Sequence, residues 1–275
     1  MIKRVLNLSF VLLMYTIMPL AATPDNPWKG KRIAILGDSM SDPAHIGTAK
    51  CYYEYMEELM GIKSTSYAKD GAQINSFLEE AKQAYEDQQK GGFIYDLILI
   101  WGGTNDYRGA VPLGEWYTYD YVQTNSDGKL MTLKHRIPNM TIDTFRGRLN
   151  ILLQYLKNHF PDTQIVIMTP THRAFAQFGN NNIQPEESFA NNLGLFIDDY
   201  VKVIKESSNV WAVDLIDLNA KSGLYPLDEG YFKYFHNEKT DKLHPGALGH
   251  YRIAKVIEAA LQSIATDLIP KNNCF

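Results

Sequence analysis

The chain has 275 residues, 45% of them hydrophobic and 21% charged, with 27 Lys and Arg against 31 Asp and Glu for a formal net charge of −4. That is ordinary globular composition, long enough for one large domain or two small ones. No block of like charge stands out, which argues against nucleic acid or an anionic membrane surface as a partner.

The N-terminus has a composition of its own. Lys3 and Arg4 precede a mostly apolar run from Val5 to Met18, followed by Pro19 and the small residues Ala21 and Ala22. This is the layout of a secretory signal peptide over 1–22, with 23–275 left as a single exported domain, periplasmic or secreted. The apolar core is short for a membrane span, so no stable insertion is expected once the signal is removed. The cleavage point is not fixed, because Leu20 sits where a small residue is expected. Export would permit a disulfide between Cys51 and Cys274, although two cysteines so far apart define no spacing motif.

Strand-like apolar runs follow at 32–36, 63–68, 96–101, 164–169 and 210–215. Several are continuously apolar, as strands buried on both faces of a parallel sheet are. Helical patterns lie between them. Tyr52, Tyr55, Met56 and Leu59 share one face ahead of Gly61, and Leu149, Leu152, Leu153 and Leu156 share another behind Asp143, a plausible N-cap. Further helical patterns cover 74–92, 185–208 and 246–268. Strand then helix, five times over, predicts an α/β fold: a three-layer, flavodoxin-like doubly wound sheet of about five parallel strands. Three connections are longer than that architecture needs, at 107–140, 171–184 and 219–240. In open α/β sheets, loops beyond the carboxyl ends of strands frame the ligand crevice.

Four short stretches carry chemistry. "GDSMSD" (37–42) leaves the first strand and displays Ser39 at the crevice edge, where helix-start amides favour a developing negative charge. Gly37 permits a tight exit, while Asp38 and Asp42 are suited to bonding the turn's amides. "WGGTNDY" (101–107) ends the third strand and offers the neutral side-chain donor of Asn105, suited to an oxyanion that exists only in the transition state. "TDKLHPG" (240–246) spaces Asp241 three residues before His244, so that a carboxylate could orient an imidazole able to accept a serine proton. Gly71, in "YAKDGAQI", could present a bare backbone N–H. Each stretch alone reads equally as turn or cap chemistry. Together they supply nucleophile, base, orienter and oxyanion donors on one edge of one sheet.

In these four blocks, in this order, the sequence resembles the SGNH hydrolase superfamily, the GDSL esterases and lipases. The resemblance implies a serine esterase with Ser39 as nucleophile, His244 as base and Asp241 as its partner. It also implies an oxyanion hole from the Ser39 and Gly71 amides and the Asn105 side chain, with no metal or other cofactor. Met40 stands where the family motif has Leu, an apolar exchange that leaves the mechanism intact. The GxSxG elbow of the α/β-hydrolases is absent. Within the superfamily, lipase, lysophospholipase, thioesterase and carbohydrate O-deacetylase chemistries are all open. Export and the aromatic residues of 107–140 favour a glycan ester, which makes Trp116, Tyr117, His172 and Arg173 candidate substrate contacts. Two rivals use the same fold: a magnesium site on Asp38, Asp42 and Asp106, and a binding protein without catalysis.

Overall fold

A computed structural model describes residues 26–268. The proposed signal segment and Cys274 lie outside the described residues. The elements are β1 (Arg32–Gly37), α1 (Tyr52–Met60), β2 (Lys63–Ser66), α2 (Phe77–Gly91), β3 (Leu97–Trp101) and α3 (Thr104–Arg108). They continue with β4 (Tyr117–Ser126), β5 (Lys129–Pro138), α4 (Phe145–His159), β6 (Gln164–Met168), β7 (Ala176–Gln177) and β8 (Ile183–Gln184). The chain ends with α5 (Ile197–Trp211), β9 (Asp214–Ile216), α6 (Leu218–Lys221), β10 (Phe235–Asn237), β11 (Asp241–Pro245) and α7 (Ala247–Leu261).

Five parallel strands form the central sheet in the order β2-β1-β3-β6-β9. Alternate residues of β1 and β3 feed two cores. Ile33, Ile35, Leu97 and Leu99 pack toward α1 and α7, and Ala34, Leu36, Ile98 and Ile100 toward α2, α4 and α5. Both faces are covered, so each fully buried Leu or Ile contributes on the order of 2 kcal/mol. The strand order reverses between β1 and β3, which opens the crevice at their carboxyl ends. The expected three-layer fold is the one observed.

Several boundaries differ from the sequence reading. Val210 and Trp211 close α5 instead of opening a strand, and β9 is only Asp214–Ile216. Residues 185–196 are not helical: the Asn191 side-chain carbonyl accepts from the Leu193 and Leu195 amides and holds a turn instead. Thr144, not Asp143, caps α4, by accepting from the Gly147 amide. The second and third long connections build a second sheet, β10-β11-β7-β8, that alternation did not reveal because its strands have two to five residues. The first long connection forms a hairpin, β4–β5, of two ten-residue strands in unbroken register, with nearly all its side chains in solvent. No helix among the described residues is long and apolar enough to cross a membrane.

Candidate active site

The exit from β1 is sterically tight. A Cβ on Gly37 would stand 2.9 Å from the Trp101 carbonyl oxygen of the paired strand, so a side chain there would push β1 and β3 apart. The chain then turns around two carboxylates. Asp38 Oδ1 accepts from the Met40 amide at 3.1 Å. Asp42 accepts from Ala44 at 2.7 Å with one oxygen and from Asp70 at 2.6 Å with the other, tying the first loop to the one that holds Gly71. Burial pushes the Asp38 carboxyl up to about 7, against the Met40 bond and the nearby His244.

Ser39 emerges from this turn 5% exposed, with its Oγ 2.9 Å from His244 Nε2. His244 Nδ1 lies 2.9 Å from Asp241 Oδ2. The other oxygen, Asp241 Oδ1, accepts from the His244 amide at 3.0 Å and the Leu243 amide at 3.2 Å, so the three-residue spacing closes as a compact turn. Burial by itself would raise the Asp241 carboxyl. The bonds from His244 and His236 outweigh it and hold the group below the usual carboxylate range. An ionised Asp241 on Nδ1–H leaves Nε2 as the acceptor that a serine proton needs. Ser41, the other serine of the motif, is fully buried against the Tyr52 hydroxyl at 3.0 Å.

The three expected oxyanion donors lie on the segments that follow β1, β2 and β3. Asn105, in the first turn of α3, gives one side-chain hydrogen to the Ala72 carbonyl at 3.0 Å, and its Nδ2 lies 3.5 Å from Asp38 Oδ2. It therefore sits between the neighbours of Gly71 and Ser39. Neither the Ser39 amide nor the Gly71 amide donates to an acceptor among the described residues. Gly71 has φ +71°, the left-handed conformation that glycine adopts without strain. Two amides without an acceptor among the described residues and the Asn105 side-chain donor are the groups that a developing negative charge could use.

A family model for GDSL-like lipases and acylhydrolases matches residues 33–257, a span that holds all five of these residues. The chain belongs to the GDSL-like lipase/acylhydrolase family. Among solved structures, a protein from Lactobacillus plantarum superposes with a TM-score of 0.64 at 23% identity, over 86% of this chain and 99% of that one. A possible lipase from Chitinophaga pinensis does so with a TM-score of 0.59 at 16% identity, over 85% and 98%. At such identities the likeness is one of fold. No curated protein matched the sequence.

For this GDSL-family hydrolase, membership implies cleavage of ester bonds. The magnesium alternative finds no convergent carboxylates. Asp106 is committed to the Ile74 amide and to Arg148, at 3.0 and 2.7 Å, while Asp42 holds its two amides. The proposed substrate aromatics Trp116 and Tyr117 are both engaged at the root of the hairpin. Trp116 donates from its indole to Glu206 on α5 at 2.9 Å, and its carbonyl accepts from Asn150 on α4. Tyr117 stacks under Arg136 within the hairpin, 4.7 Å from guanidinium to ring centre. The root of β4–β5 is thus fixed to α4 and α5. His172 pairs through Nδ1 with Glu187 at 2.5 Å, a bond that raises its pKa, and Arg173 is buried beside Thr104 and Gln184.

Three neighbours of the triad were not visible in the sequence. His236, on β10, places its own Nδ1 3.0 Å from the same Asp241 Oδ2 and is 54% exposed. Phe178, in the β7–β8 turn, lies 5.2 Å from the His244 ring and forms a wall beside it. Gly47, at φ +72°, lets the loop after Asp42 pass so close that a Cβ there would stand 2.7 Å from His244 Cβ. Position 236 carried one usable signal, a histidine five residues before the Asp-x-x-His pair. The other two depend on the second sheet and on loop packing, and no local pattern marks either.

Proposed function

We propose that this protein is an exported serine esterase that removes short acyl groups from a glycan, most simply O-acetyl groups. The single observation that carries the esterase reading is the unbroken chain Asp241 Oδ2–His244 Nδ1 and His244 Nε2–Ser39 Oγ, each link 2.9 Å. In the reaction, Ser39 Oγ attacks the ester carbonyl while His244 Nε2 takes its proton, and Asp241 stabilises the imidazolium. The carbonyl oxygen becomes an anion facing the Ser39 and Gly71 amides and Asn105 Nδ2. Collapse breaks the bond to the alcohol, which leaves with the proton held on His244. Water then repeats the sequence on the acyl-Ser39 intermediate, releasing the acid and restoring Ser39.

The acyl size is argued from the cavity bordered by Asp38, Met40, Thr104 and Leu243, next to Ser39 and Asn105. Its free space is only about 10 Å³, hardly more than one water occupies, which leaves no room for a fatty chain and favours the smallest acyl groups. Support for a glycan as the alcohol portion comes from the signal-like N-terminal segment. Acetate release from acetylated polysaccharides, with p-nitrophenyl esters of increasing chain length, tests the reading. Activity should be highest on acetate and fall steeply by octanoate; the reverse order would make the protein a lipase. Ser39→Ala should lower kcat by roughly 10³-fold or more. A serine-directed phosphonate should label Ser39, and label on Ser41 would show the nucleophile to be wrong.

A further inference from the structure

Arg173 is a cation that the fold keeps almost wholly from water, 2% exposed, without giving it a carboxylate. Its Nη2 donates to the Gln184 side-chain carbonyl at 2.7 Å, and its Nη1 reaches Thr104 Oγ1 only at 3.4 Å. The guanidinium lies 5.7 Å from the centre of the Tyr107 ring, and Nε has no hydrogen-bond partner among the described residues. Glu187 is near, but one of its oxygens takes the His172 ring and the other the Arg173 backbone amide. Burial lowers the guanidinium pKa to about 10, still far above neutrality. Glu187 and Asp241 act on the guanidinium only across a gap, with no carboxylate bonded to it. A buried charge without a bonded counter-charge is unfavourable for the fold, which points to a partner that arrives from outside.

The surroundings suit an anion. Arg173 lines a pocket of about 80 Å³ together with Tyr107, Arg108, Asn191 and Asn192, and no acidic side chain borders it. Arg108 and Asn192 stand exposed at its rim. Arg108 is also three residues beyond Asn105 on α3, one helical turn or about 5 Å along the axis. Thr104, on the other side of Asn105, touches Arg173. The cationic pocket is therefore reached from α3, the same short helix that carries the oxyanion donor Asn105.

We propose that this pocket is a subsite for the carboxylate of a uronic-acid residue in the alcohol portion of the ester. The placement rests on the deacetylase reading above: an acetyl group carries no charge, so a charged group must belong to the sugar. Arginine presents a planar fork of donors that matches a carboxylate, and its bond to an anion strengthens in a site closed to water.

The test compares acetate release from acetylated polygalacturonate and from acetylated glucomannan, which is neutral, by the wild type and by Arg173→Gln. The wild type should favour the acidic polymer, and the variant should lose at least tenfold of that preference in kcat/KM, mainly through KM. Its Tm should hold or rise, since an uncompensated buried charge has been removed. Equal losses on both polymers with a lower Tm would make Arg173 a structural residue and overturn the proposal. Binding of galacturonate trimer to Ser39→Ala, measured by calorimetry, separates this idea from the catalytic one. Trimer bound by Ser39→Ala but not by the Ser39→Ala, Arg173→Gln double variant supports the subsite even if neither polymer is a substrate. No binding, or binding that ignores residue 173, sinks it. Inorganic sulfate that displaces the trimer at equal concentration would overturn the assignment to a uronate.

Discussion

Asn105 and Gly47 act on the reaction from opposite sides, one through charge and one through position. Asn105 keeps one side-chain hydrogen on the Ala72 carbonyl, while its Nδ2 has only a long, 3.5 Å contact to Asp38 Oδ2 for the other. Asn105→Ala should lower kcat by about 10²-fold with KM nearly unchanged, because the lost bond matters mainly to the transition state. A raised KM with an unchanged kcat would mean that Asn105 binds ground-state substrate instead. Gly47 holds no chemistry, yet a methyl there meets His244 Cβ at 2.7 Å, an atom that cannot swing aside without taking the imidazole with it. Gly47→Ala should therefore cost on the order of 10- to 100-fold in kcat, the scale of an ångström of misplacement. Phosphonate labelling of Ser39 should slow in parallel, and a variant with full activity would show that the loop yields instead of the histidine. At this scale the sequence was legible wherever the chemistry is local. Ser39, Asn105, Asp241 and His244 each sit in a short stretch whose turn residues announce them. Gly47 reaches the site only through loop packing, of which a single sequence carries no trace, and His236 left only its spacing before the Asp-x-x-His pair.

Among the elements, the β4–β5 hairpin is the least expected and the second sheet the most consequential. The "NSDGK" turn brings Ser126 opposite Lys129 and sets the register of the hairpin. Its anchorage was not foretold, because it depends on Trp116 reaching Glu206 and on Asn150 bridging the Trp116 and Asn139 carbonyls. Those bonds hold the root, while the ribbon beyond it packs only on itself. Replacing 119–136 with a two-residue turn should leave the fold intact, with Tm changed by no more than about 3 °C, since few buried contacts are lost. Hydrolysis of p-nitrophenyl acetate should stay within about twofold. A large drop in kcat would mean that the ribbon organises the triad. The second sheet is the reverse case: too short to read in sequence, yet its β10–β11 pair carries His236, Asp241 and His244. The register shifts between Phe235 and Asn237, and that irregularity brings two histidines onto one carboxylate oxygen.

Across the whole molecule, the crevice edge is built over buried carboxylates, and that sets how stability depends on pH. Glu80, from α2, accepts the Gly37 amide with Oε2 at 2.8 Å, while Oε1 has no partner among the described residues. Burial, with a smaller push from Asp38, raises its pKa to about 8, and burial lifts Asp38 to about 7 and Asp106 to about 6. In each case the folded state holds a proton that the unfolded state releases, so stability falls as pH rises from about 4.5 toward the folded pKa. His250 works the other way. Burial lowers it to about 3, so the unfolded state binds the extra proton between pH 3 and 6.5, and stability rises with pH in that window. Above pH 6.5 His250 is silent, whereas Glu80 still titrates, with a limiting slope of about 1.4 kcal/mol per pH unit. His172, raised by Glu187, has the same sign as Glu80, so the wild type alone cannot separate the two. Glu80→Gln can. The amide keeps an acceptor for Gly37 and has no proton to lose. Urea midpoints measured at pH 6.5 and pH 8.5 should show the wild type weaker at the higher pH and the variant less affected, by on the order of 1–2 kcal/mol between them. If the two proteins lose equal stability over that interval, Glu80 is already ionised at pH 6.5, and the strand exit beneath Ser39 is held by a carboxylate, not by a carboxylic acid.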